Sequence, residues 1–331
     1  MTEDPSSQDK SPQDKPRVLV ARRVPPNVAA RAREMFDAIV TETDMDADTT
    51  LRVIREEHIA GLFSGPKVKF TAAHAEAMPD WLKVIANPGA GFDHMDVEAA
   101  KARGIVVTNA PDVVTDCTAD LAMMLILNAS RRAREYDQVM REGWRKPYGM
   151  PDLLGLRPSG KTLGIVGMGR IGQAVAQRAR GFGMKILYNN RRRLPPELEQ
   201  GAEHVADLHE LLRRSEILSL HLPASAETGT LMTRERFALL PRGAVFVNTA
   251  RGSLVDEDAL IEALKSGQLF AAGLDVFRKE PDFDTRLAEL PNVFLTPHVA
   301  SATVDTRDAM GFRTLDNIAS VLSGRGAIDP V

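Results

Sequence analysis

Three glycines with a fixed spacing, Gly167, Gly169 and Gly172, stand in the stretch KTLGIVGMGRIGQAVAQRA. They follow an apolar, strand-like run and open a segment of helical period. The first glycine permits a tight turn, the second lets backbone approach a ligand, and the third allows helix and strand to pack closely. Free N–H groups at the helix start, around Arg170 and Ile171, favour anions. This context predicts a loop that binds the pyrophosphate of a dinucleotide, the alternative being a glycine turn that only packs.

The end of the next strand predicts which dinucleotide is bound. An Asp or Glu about twenty residues after the glycine loop accepts hydrogen bonds from the ribose hydroxyls of NAD. Here the strand GMKILYNNRRR places Asn190 at that position, followed by Arg191, Arg192 and Arg193. A neutral amide does not repel a 2′-phosphate, and guanidinium groups can bind one. We therefore expect NADP(H) to be preferred, with NAD(H) as the alternative cofactor. An arginine run that is only a solvated surface is the competing interpretation.

The elements that position these residues alternate between short apolar runs and helical segments, which predicts an α/β fold with doubly wound parallel sheets. Predicted strands of a first unit are Val18–Ala21, Ala38–Val40, Ile59–Phe63, Val84–Ala86 and Val106–Thr108, with helices at Val28–Phe36 and Ala72–Met78. One long helical segment, Asp116–Arg141, precedes a second unit. Its predicted strands are Leu163–Val166, Ile186–Tyr188, Ile217–Leu220, Val245–Asn248, Ala271–Leu274 and Val293–Leu295, as two mononucleotide-binding halves require.

A chain of 331 residues is too long for one hydrophobic core, which favours two Rossmann-like domains. The terminal helix, from about Val304 to Leu322, has no strand after it, so we expect it to cross back onto the first unit. This predicts a discontinuous, flavodoxin-like substrate domain of residues 17–109 and 299–331 and an NAD(P)-binding Rossmann domain of residues 110–298. Residues 1–16 are polar and rich in Pro and Ser, which predicts a disordered leader.

Composition excludes several classes of function. The net charge is −3 and no basic block dominates, which argues against nucleic-acid binding. The single cysteine, Cys117, cannot form an intrachain disulfide or a thiolate zinc site, and no metal site is predicted. The longest apolar run, residues 121–127, is too short to span a bilayer and is interpreted as a buried helix. We expect a cytoplasmic protein with a small-molecule substrate and neither membrane nor nucleic-acid partners.

Further motifs in the chain are similar to those of one family. They are NPGAGFDHMD, TDCTADLAMMLIL, GIVGMGRIGQAVA, HLPASAETGTLM, VNTARGSLVDEDALIEAL, AAGLDVFRKEP and NVFLTPHVASAT. The chain resembles the D-isomer-specific 2-hydroxyacid dehydrogenases, and within them the glyoxylate/hydroxypyruvate reductase branch. The resemblance implies an NADPH-preferring reductase that converts small 2-oxo acids to D-2-hydroxy acids by hydride transfer. It also implies a homodimer, because the long helix after Asp116 and the segment around Trp144 resemble the family's dimer arm.

The resemblance assigns three catalytic residues. Arg251 in NTARG is implied to orient the substrate, and a planar guanidinium suits a carboxylate beside a carbonyl. His298 in PHVAS is implied to be the acid/base, and Glu280 in the KEP turn its carboxylate partner. All three follow predicted strands of the dinucleotide-binding unit, which places them near the carboxyl edge of its sheet, where ligands of α/β proteins bind.

The remaining site residues also come from the resemblance. Backbone N–H groups of Ala90 and Gly91 are implied to bind the substrate carboxylate, and Ser64 is placed near its side chain. Cofactor contacts are assigned to His221, Pro223, Thr228, Thr249, Ala250, Asp275, His298 and Ala300. For Asp275, the alternative is a helix N-cap.

Three other functions share this fold. A formate dehydrogenase-like enzyme would carry glutamine where Glu280 stands. D-lactate and D-3-phosphoglycerate dehydrogenases are NAD-dependent and usually carry an acidic residue at the Asn190 position. Transcriptional corepressors of the family keep the Arg, Glu and His but act as nucleotide-sensing scaffolds. Turnover of a simple 2-oxo acid separates an enzyme from such a scaffold.

Overall fold

The structure is a computed structural model that describes residues 15–65, 68–225 and 227–331. The predicted leader, residues 1–16, lies almost entirely outside the described residues. Contacts divide the chain into two compact units: one comprises Met1–Val114 and Ala302–Val331, and the other Thr115–Ser301. The sequence-based domain boundaries, 109/110 and 298/299, stay a prediction.

The first unit is built on a parallel sheet of five strands. Its elements begin with β1 (Arg17–Val20), α1 (Pro26–Met35), β2 (Asp37–Val40), α2 (Ala47–Glu56), β3 (Gly61–Phe63), α3 (Ala72–Glu76), β4 (Val84–Ala86), α4 (Val97–Ala102) and β5 (Val106–Thr108). The strand order is β2-β1-β3-β4-β5, which is the flavodoxin-like order. The central strands β3 and β4 are buried along their whole length, as expected for a sheet covered by helices on both faces.

The second unit carries a parallel sheet of seven strands. Its elements are α5 (Thr115–Ser130), α6 (Ala133–Arg141), β6 (Thr162–Val166), α7 (Arg170–Arg180), β7 (Lys185–Asn189), α8 (Pro196–Glu199), β8 (Glu203–His204), α9 (Leu208–Arg214), β9 (Ile217–Leu220), α10 (Arg234–Leu239), β10 (Ala244–Asn248), α11 (Glu257–Lys265), β11 (Leu269–Leu274), α12 (Arg286–Glu289) and β12 (Val293–Leu295). The order β12-β11-β10-β9-β6-β7-β8 contains the dinucleotide-binding arrangement, with β6 between β9 and β7, where the strand order reverses. The α/β, Rossmann-like fold class is confirmed. Strand β8, only two residues long, has no counterpart among the predicted strands.

The last helix, α13 (Val304–Leu322), packs on α1, β3 and β4 of the first unit, as the sequence predicted. Leu315 and Ile318 are fully buried there. Gly311 lies so close to Val28 that a Cβ at this position would overlap with the valine side chain. Within the described residues, no helix has both the length and the apolar character needed to cross a membrane.

The prediction of one continuous helix over Asp116–Arg141 is wrong, because the chain forms α5 and α6 with a break between them. Arg132 adopts a left-handed conformation with φ of 54°. Its guanidinium forms two hydrogen bonds with Glu135, at 2.6 and 2.7 Å, which hold this turn. The N–H of Leu156 donates to the carbonyl of Ser130 at the end of α5. The local pair Arg132–Glu135 and the long-range bond from Leu156 to Ser130 thus lie at the break between α5 and α6.

Candidate active site

The glycine loop joins β6 to α7. Gly167 has a φ of 96°, and a Cβ there would lie 2.6 Å from the carbonyl carbon of His221. A Cβ on Gly172 would overlap with the carbonyl oxygen of Gly167. At Gly169, by contrast, the Cβ position has no heavy atom within 4 Å. Gly169 precedes α7 without any side-chain cap, and the N–H groups at such a helix start favour an anion. The loop therefore has the open space and the donors that a pyrophosphate needs.

Asn190 ties the end of β7 to the glycine loop. Its Oδ1 accepts a hydrogen bond of 2.7 Å from the N–H of Met168, which lies between the first two glycines of the motif. Asn190 thus holds the loop in addition to standing at the position of the ribose-binding residue. An aspartate could accept the same bond, so the amide is not required for this contact. Its distinguishing property is the absence of negative charge.

The three arginines after Asn190 have different roles. Arg191 is 93% exposed and forms an ion pair of 3.5 Å with Glu227, itself 84% exposed. Arg192 is also exposed. Arg193 instead makes two hydrogen bonds, of 2.8 and 3.0 Å, to the two oxygens of Glu199. Arg191 and Arg192 are accessible to a phosphate, whereas Arg193 is engaged by the protein.

Glu199 lies at the centre of a cluster that anchors the arginine loop, residues 190–193. The cluster consists of Tyr188, Arg193, Leu194 and Glu199. The buried Tyr188 hydroxyl donates to Glu199 at 2.6 Å and accepts from the N–H of Leu194 at 2.9 Å. Hydrogen bonds from Arg193 and then Tyr188 lower the pKa of Glu199 to about 2. Sequence reasoning missed this cluster, and its only local signal is a glutamate six residues after an arginine. With Asn190 bonded to the glycine loop, the segment that carries Arg191 and Arg192 is held at both ends.

Arg251 is held in a turn that follows β10. The side chain of Asn248 donates to the carbonyl of Arg251 at 2.9 Å and accepts from the N–H of Ala250 at 3.0 Å. The next residue, Gly252, lies against the backbone of Phe277, where a Cβ would overlap with the carbonyl group. Gly252 was not singled out from the sequence. It lets the arginine turn approach the segment that leads into Glu280.

His298 and Glu280 form a hydrogen-bonded pair. Nδ1 of His298 lies 2.7 Å from Oε2 of Glu280, and the other carboxylate oxygen accepts from the N–H of Phe277 at 2.8 Å. Burial opposes ionisation of Glu280, but these bonds and the nearby charge of Arg251 outweigh it and lower its pKa. The imidazole is 49% exposed. Arg251, Glu280 and His298 thus come together within the second unit, with about half of the imidazole exposed.

Asp275 holds the turn that carries His298. The carboxylate is fully buried and accepts hydrogen bonds from the hydroxyl of Thr296 at 2.6 Å and from the N–H groups of Val299 and Ala300 at 2.8 and 2.9 Å. Burial raises the pKa of Asp275, while these bonds act in the opposite direction. No helix begins here, so the alternative interpretation as a helix N-cap is wrong. The contact of Asp275 with the cofactor stays a prediction.

The loop after β9 lies beside the glycine loop and the arginines. His221 Nε2 lies 2.8 Å from the hydroxyl of Ser219, and burial lowers the pKa of His221 to about 3, so the imidazole is uncharged at neutral pH. Pro223 is exposed, and Thr228 belongs to the turn whose Glu227 pairs with Arg191. Thr249 and Ala250 are buried next to Arg251, and the Thr249 hydroxyl lies 3.4 Å from His221 Nδ1.

The predicted substrate-binding residues Ser64, Ala90 and Gly91 belong to the first unit. Ser64 follows β3, and its hydroxyl is buried with no hydrogen-bond partner among the described residues. Ala90 and Gly91 lie in the loop after β4 and are partly exposed. All three follow neighbouring strands of the first sheet, at its carboxyl edge.

Comparison with known proteins identifies relatives that match most of the chain. The profile of the D-isomer specific 2-hydroxyacid dehydrogenase NAD binding domain matches residues 123–300. The glyoxylate reductase of Thermococcus onnurineus is 40% identical over 315 residues, covering 94% of each chain. The glyoxylate/hydroxypyruvate reductase B of Klebsiella pneumoniae is 40% identical over 313 residues, covering 94% of this chain and 96% of the relative. A crystal structure of the NADPH-dependent glyoxylate/hydroxypyruvate reductase from Sinorhizobium meliloti, in complex with NADP and malonate, superposes with a TM-score of 0.84 at 37% identity. It covers 96% of this chain and 97% of that one.

Proposed function

This chain belongs to the D-isomer specific 2-hydroxyacid dehydrogenase family, oxidoreductases that act on the CH–OH group of 2-hydroxy acids, and on that premise we propose its specific reaction. It is an NADPH-preferring reductase that converts glyoxylate to glycolate and hydroxypyruvate to the D-configured 2-hydroxy acid. The observation that carries this proposal is the 2.7 Å pair of His298 and Glu280 beside the turn of Arg251. The names of the relatives support the substrate class.

The residues of the trio have complementary roles in this reaction. Arg251 binds the 2-oxo acid through the substrate's oxygens and fixes the orientation of the carbonyl carbon. A nicotinamide dinucleotide, when bound, supplies the hydride. As negative charge develops on the carbonyl oxygen, His298 donates a proton to it from Nε2, the ring nitrogen opposite the one bonded to Glu280. Glu280 fixes the tautomer and stabilises the imidazolium until the proton leaves.

The NADPH preference rests on the segment 190–192. Asn190 brings no negative charge to the ribose position, and the exposed guanidinium groups of Arg191 and Arg192 can bind a 2′-phosphate. The glycine loop fits a pyrophosphate because of the open space at Gly169 and the uncapped start of α7. The relative from Sinorhizobium meliloti, which is NADPH-dependent, supports this assignment. NAD(H) is the weaker cofactor in this proposal.

The direct test is a matrix of initial rates for glyoxylate, hydroxypyruvate, pyruvate and phenylpyruvate, each with NADPH and with NADH. We expect the highest kcat/KM for glyoxylate or hydroxypyruvate with NADPH, and a D-configured product from hydroxypyruvate. His298→Ala, checked for NADPH binding by fluorescence, is the control for turnover at this site. Higher kcat/KM for pyruvate with NADH would favour a D-lactate dehydrogenase. NADPH binding without turnover of any 2-oxo acid would favour the scaffold alternative.

We also propose that the chain forms a homodimer through the segment around α6 and the loop after it. Met140, Trp144, Met150 and Leu154 are exposed apolar residues in this segment. Such a concentration of exposed apolar side chains is typical of a protein–protein contact. Light scattering after size-exclusion chromatography should give twice the chain mass of 36.2 kDa. Trp144→Asp should shift the mass towards that of the monomer.

A further inference from the structure

Two asparagines of the first unit hold one loop at the carboxyl edge of the sheet. Asn87, which directly follows β4, is 2% exposed. Its Nδ2 donates to the carbonyl of Gly89 at 3.0 Å and to the carbonyl of Gly91 at 2.7 Å. Asn109, which directly follows the neighbouring strand β5, donates from Nδ2 to the carbonyl of Ala90 at 2.8 Å. Three consecutive carbonyls are thus bound by asparagine side chains.

The orientation of these carbonyls determines the orientation of the N–H groups that follow them. In a planar trans peptide, the C=O of one residue and the N–H of the next point in opposite directions. The N–H groups of Ala90, Gly91 and Phe92 therefore point away from the asparagines. Within the described part of the chain, none of the three donates a hydrogen bond. The loop presents three successive N–H donors, a backbone arrangement that binds anions.

We propose that Asn87 and Asn109 are positioning residues that aim the N–H groups of Ala90, Gly91 and Phe92 at the carboxylate of the 2-oxo acid. This inference rests on the proposed function and deepens it, because it adds Phe92 N–H as a third donor and names the side chains that set the loop. An amide is required at both positions. Aspartate has no donor when ionised and would face backbone carbonyls with a negative charge.

The test compares two matched amide-to-carboxylate substitutions. Asn87→Asp removes the two hydrogen bonds that Asn87 donates to the loop and leaves the one from Asn109. Gln268→Glu is the control, because Gln268 Nε2 likewise donates to two backbone carbonyls, those of Phe237 at 3.2 Å and Leu240 at 2.8 Å, but in the second unit. The measurements are kcat and KM for glyoxylate with NADPH, the Kd of NADPH, and the Kd of oxalate in the presence of NADP+, determined by calorimetry.

We expect Asn87→Asp to raise the KM for glyoxylate and the Kd of oxalate at least about tenfold, the effect of losing about one charge-assisted hydrogen bond. The value of kcat should fall less, because the carboxylate is bound in both ground and transition states. The Kd of NADPH should stay within about twofold of the wild type, and Gln268→Glu should leave KM and the oxalate Kd unchanged. Asn109→Ser, which removes a single bond, should raise the KM for glyoxylate and the Kd of oxalate by a smaller factor. It replaces Asn87→Asp as the test variant if Asn87→Asp does not fold.

Three outcomes would overturn or separate the proposals. Equal losses of NADPH and oxalate binding in Asn87→Asp would mean that the asparagine only stabilises the unit, and the inference would be wrong. Unchanged oxalate binding in both asparagine variants would also overturn it. If the wild-type enzyme reduced no 2-oxo acid but bound oxalate in a manner dependent on Asn87, the proposed reaction would be wrong while the assignment of the loop would stand.

Discussion

Cofactor selection by the arginine loop gives the sharpest test of the site, because three adjacent arginines differ in their contacts. All three are exposed, but Arg193 is bonded to both oxygens of Glu199. We expect the double variant Arg191→Ala with Arg192→Ala to raise the KM for NADPH and to leave the KM for NADH nearly unchanged. NADH lacks the 2′-phosphate that these guanidinium groups are proposed to bind.

The size of the effect follows from the exposure of the two side chains. A hydrogen bond between charged groups contributes about 1.5–3 kcal/mol, and about 1.4 kcal/mol corresponds to a tenfold change in binding. At 93% exposure, and with Glu227 to be displaced at 3.5 Å, Arg191 belongs at the low end of this range. The double variant should therefore lose at least about tenfold in the NADPH-over-NADH ratio of kcat/KM. Raised ionic strength should weaken NADPH binding to the wild type more than to the variant.

The assay is steady-state kinetics with glyoxylate at saturation and each cofactor varied, together with fluorescence titration of both cofactors. Arg193→Ala is the matched control: it should lower the midpoint of thermal unfolding, because it removes both bonds to the buried Glu199, and change the cofactor ratio less than the double variant. An equal loss with NADPH and NADH in the double variant would refute phosphate recognition by this loop. A ratio unchanged in the double variant but lowered by Arg193→Ala would show that the wrong arginines had been assigned.

Three further outcomes follow from the site. His298→Ala should reduce kcat about 10²–10⁴-fold, with NADPH binding retained. Glu280→Gln should reduce kcat less, and the pH at which the reduction rate falls should become lower, because the imidazolium loses its counter-charge. A pH–rate profile that is not displaced would contradict the pairing. Gly252→Ala should lower both thermal stability and activity, because the added Cβ overlaps with the Phe277 backbone and displaces the arginine turn, and a crystal structure with an unmoved turn would disprove this. The lowered pKa of Glu199, about 2 against an ordinary 4.5, contributes stability that is complete above pH 4.5 and is lost as pH falls towards 2. The free energy of unfolding, measured with urea at several pH values, should therefore fall more steeply across that range for the wild type than for Glu199→Gln. Parallel pH dependences of the two proteins would rule the contribution out.

Local sequence patterns were sufficient to predict the two parallel sheets and the glycine loop of this protein. Alternating apolar runs and helical segments predicted both parallel sheets, and the glycine spacing after β6 marked the loop that the structure shows with open space at Gly169. These features leave a signal among neighbours in sequence, because the spacing of apolar residues marks the face that will be buried and a glycine marks a special turn conformation. Family motifs then located Arg251, Glu280 and His298, which the second unit brings together.

Tertiary structure alone decided which side chains bind which partners. The sequence shows three equivalent arginines, and only the folding of α8 back onto β7 places Glu199 against Arg193 rather than against Arg191 or Arg192. Likewise, Asn87 and Asn109 are twenty-two residues apart and share a loop only because β4 and β5 are neighbouring strands. A hydrogen-bond partner depends on strand order and on close approach between distant segments. Periodicity carries no information about either, because it records which face of an element is buried and not what that face meets.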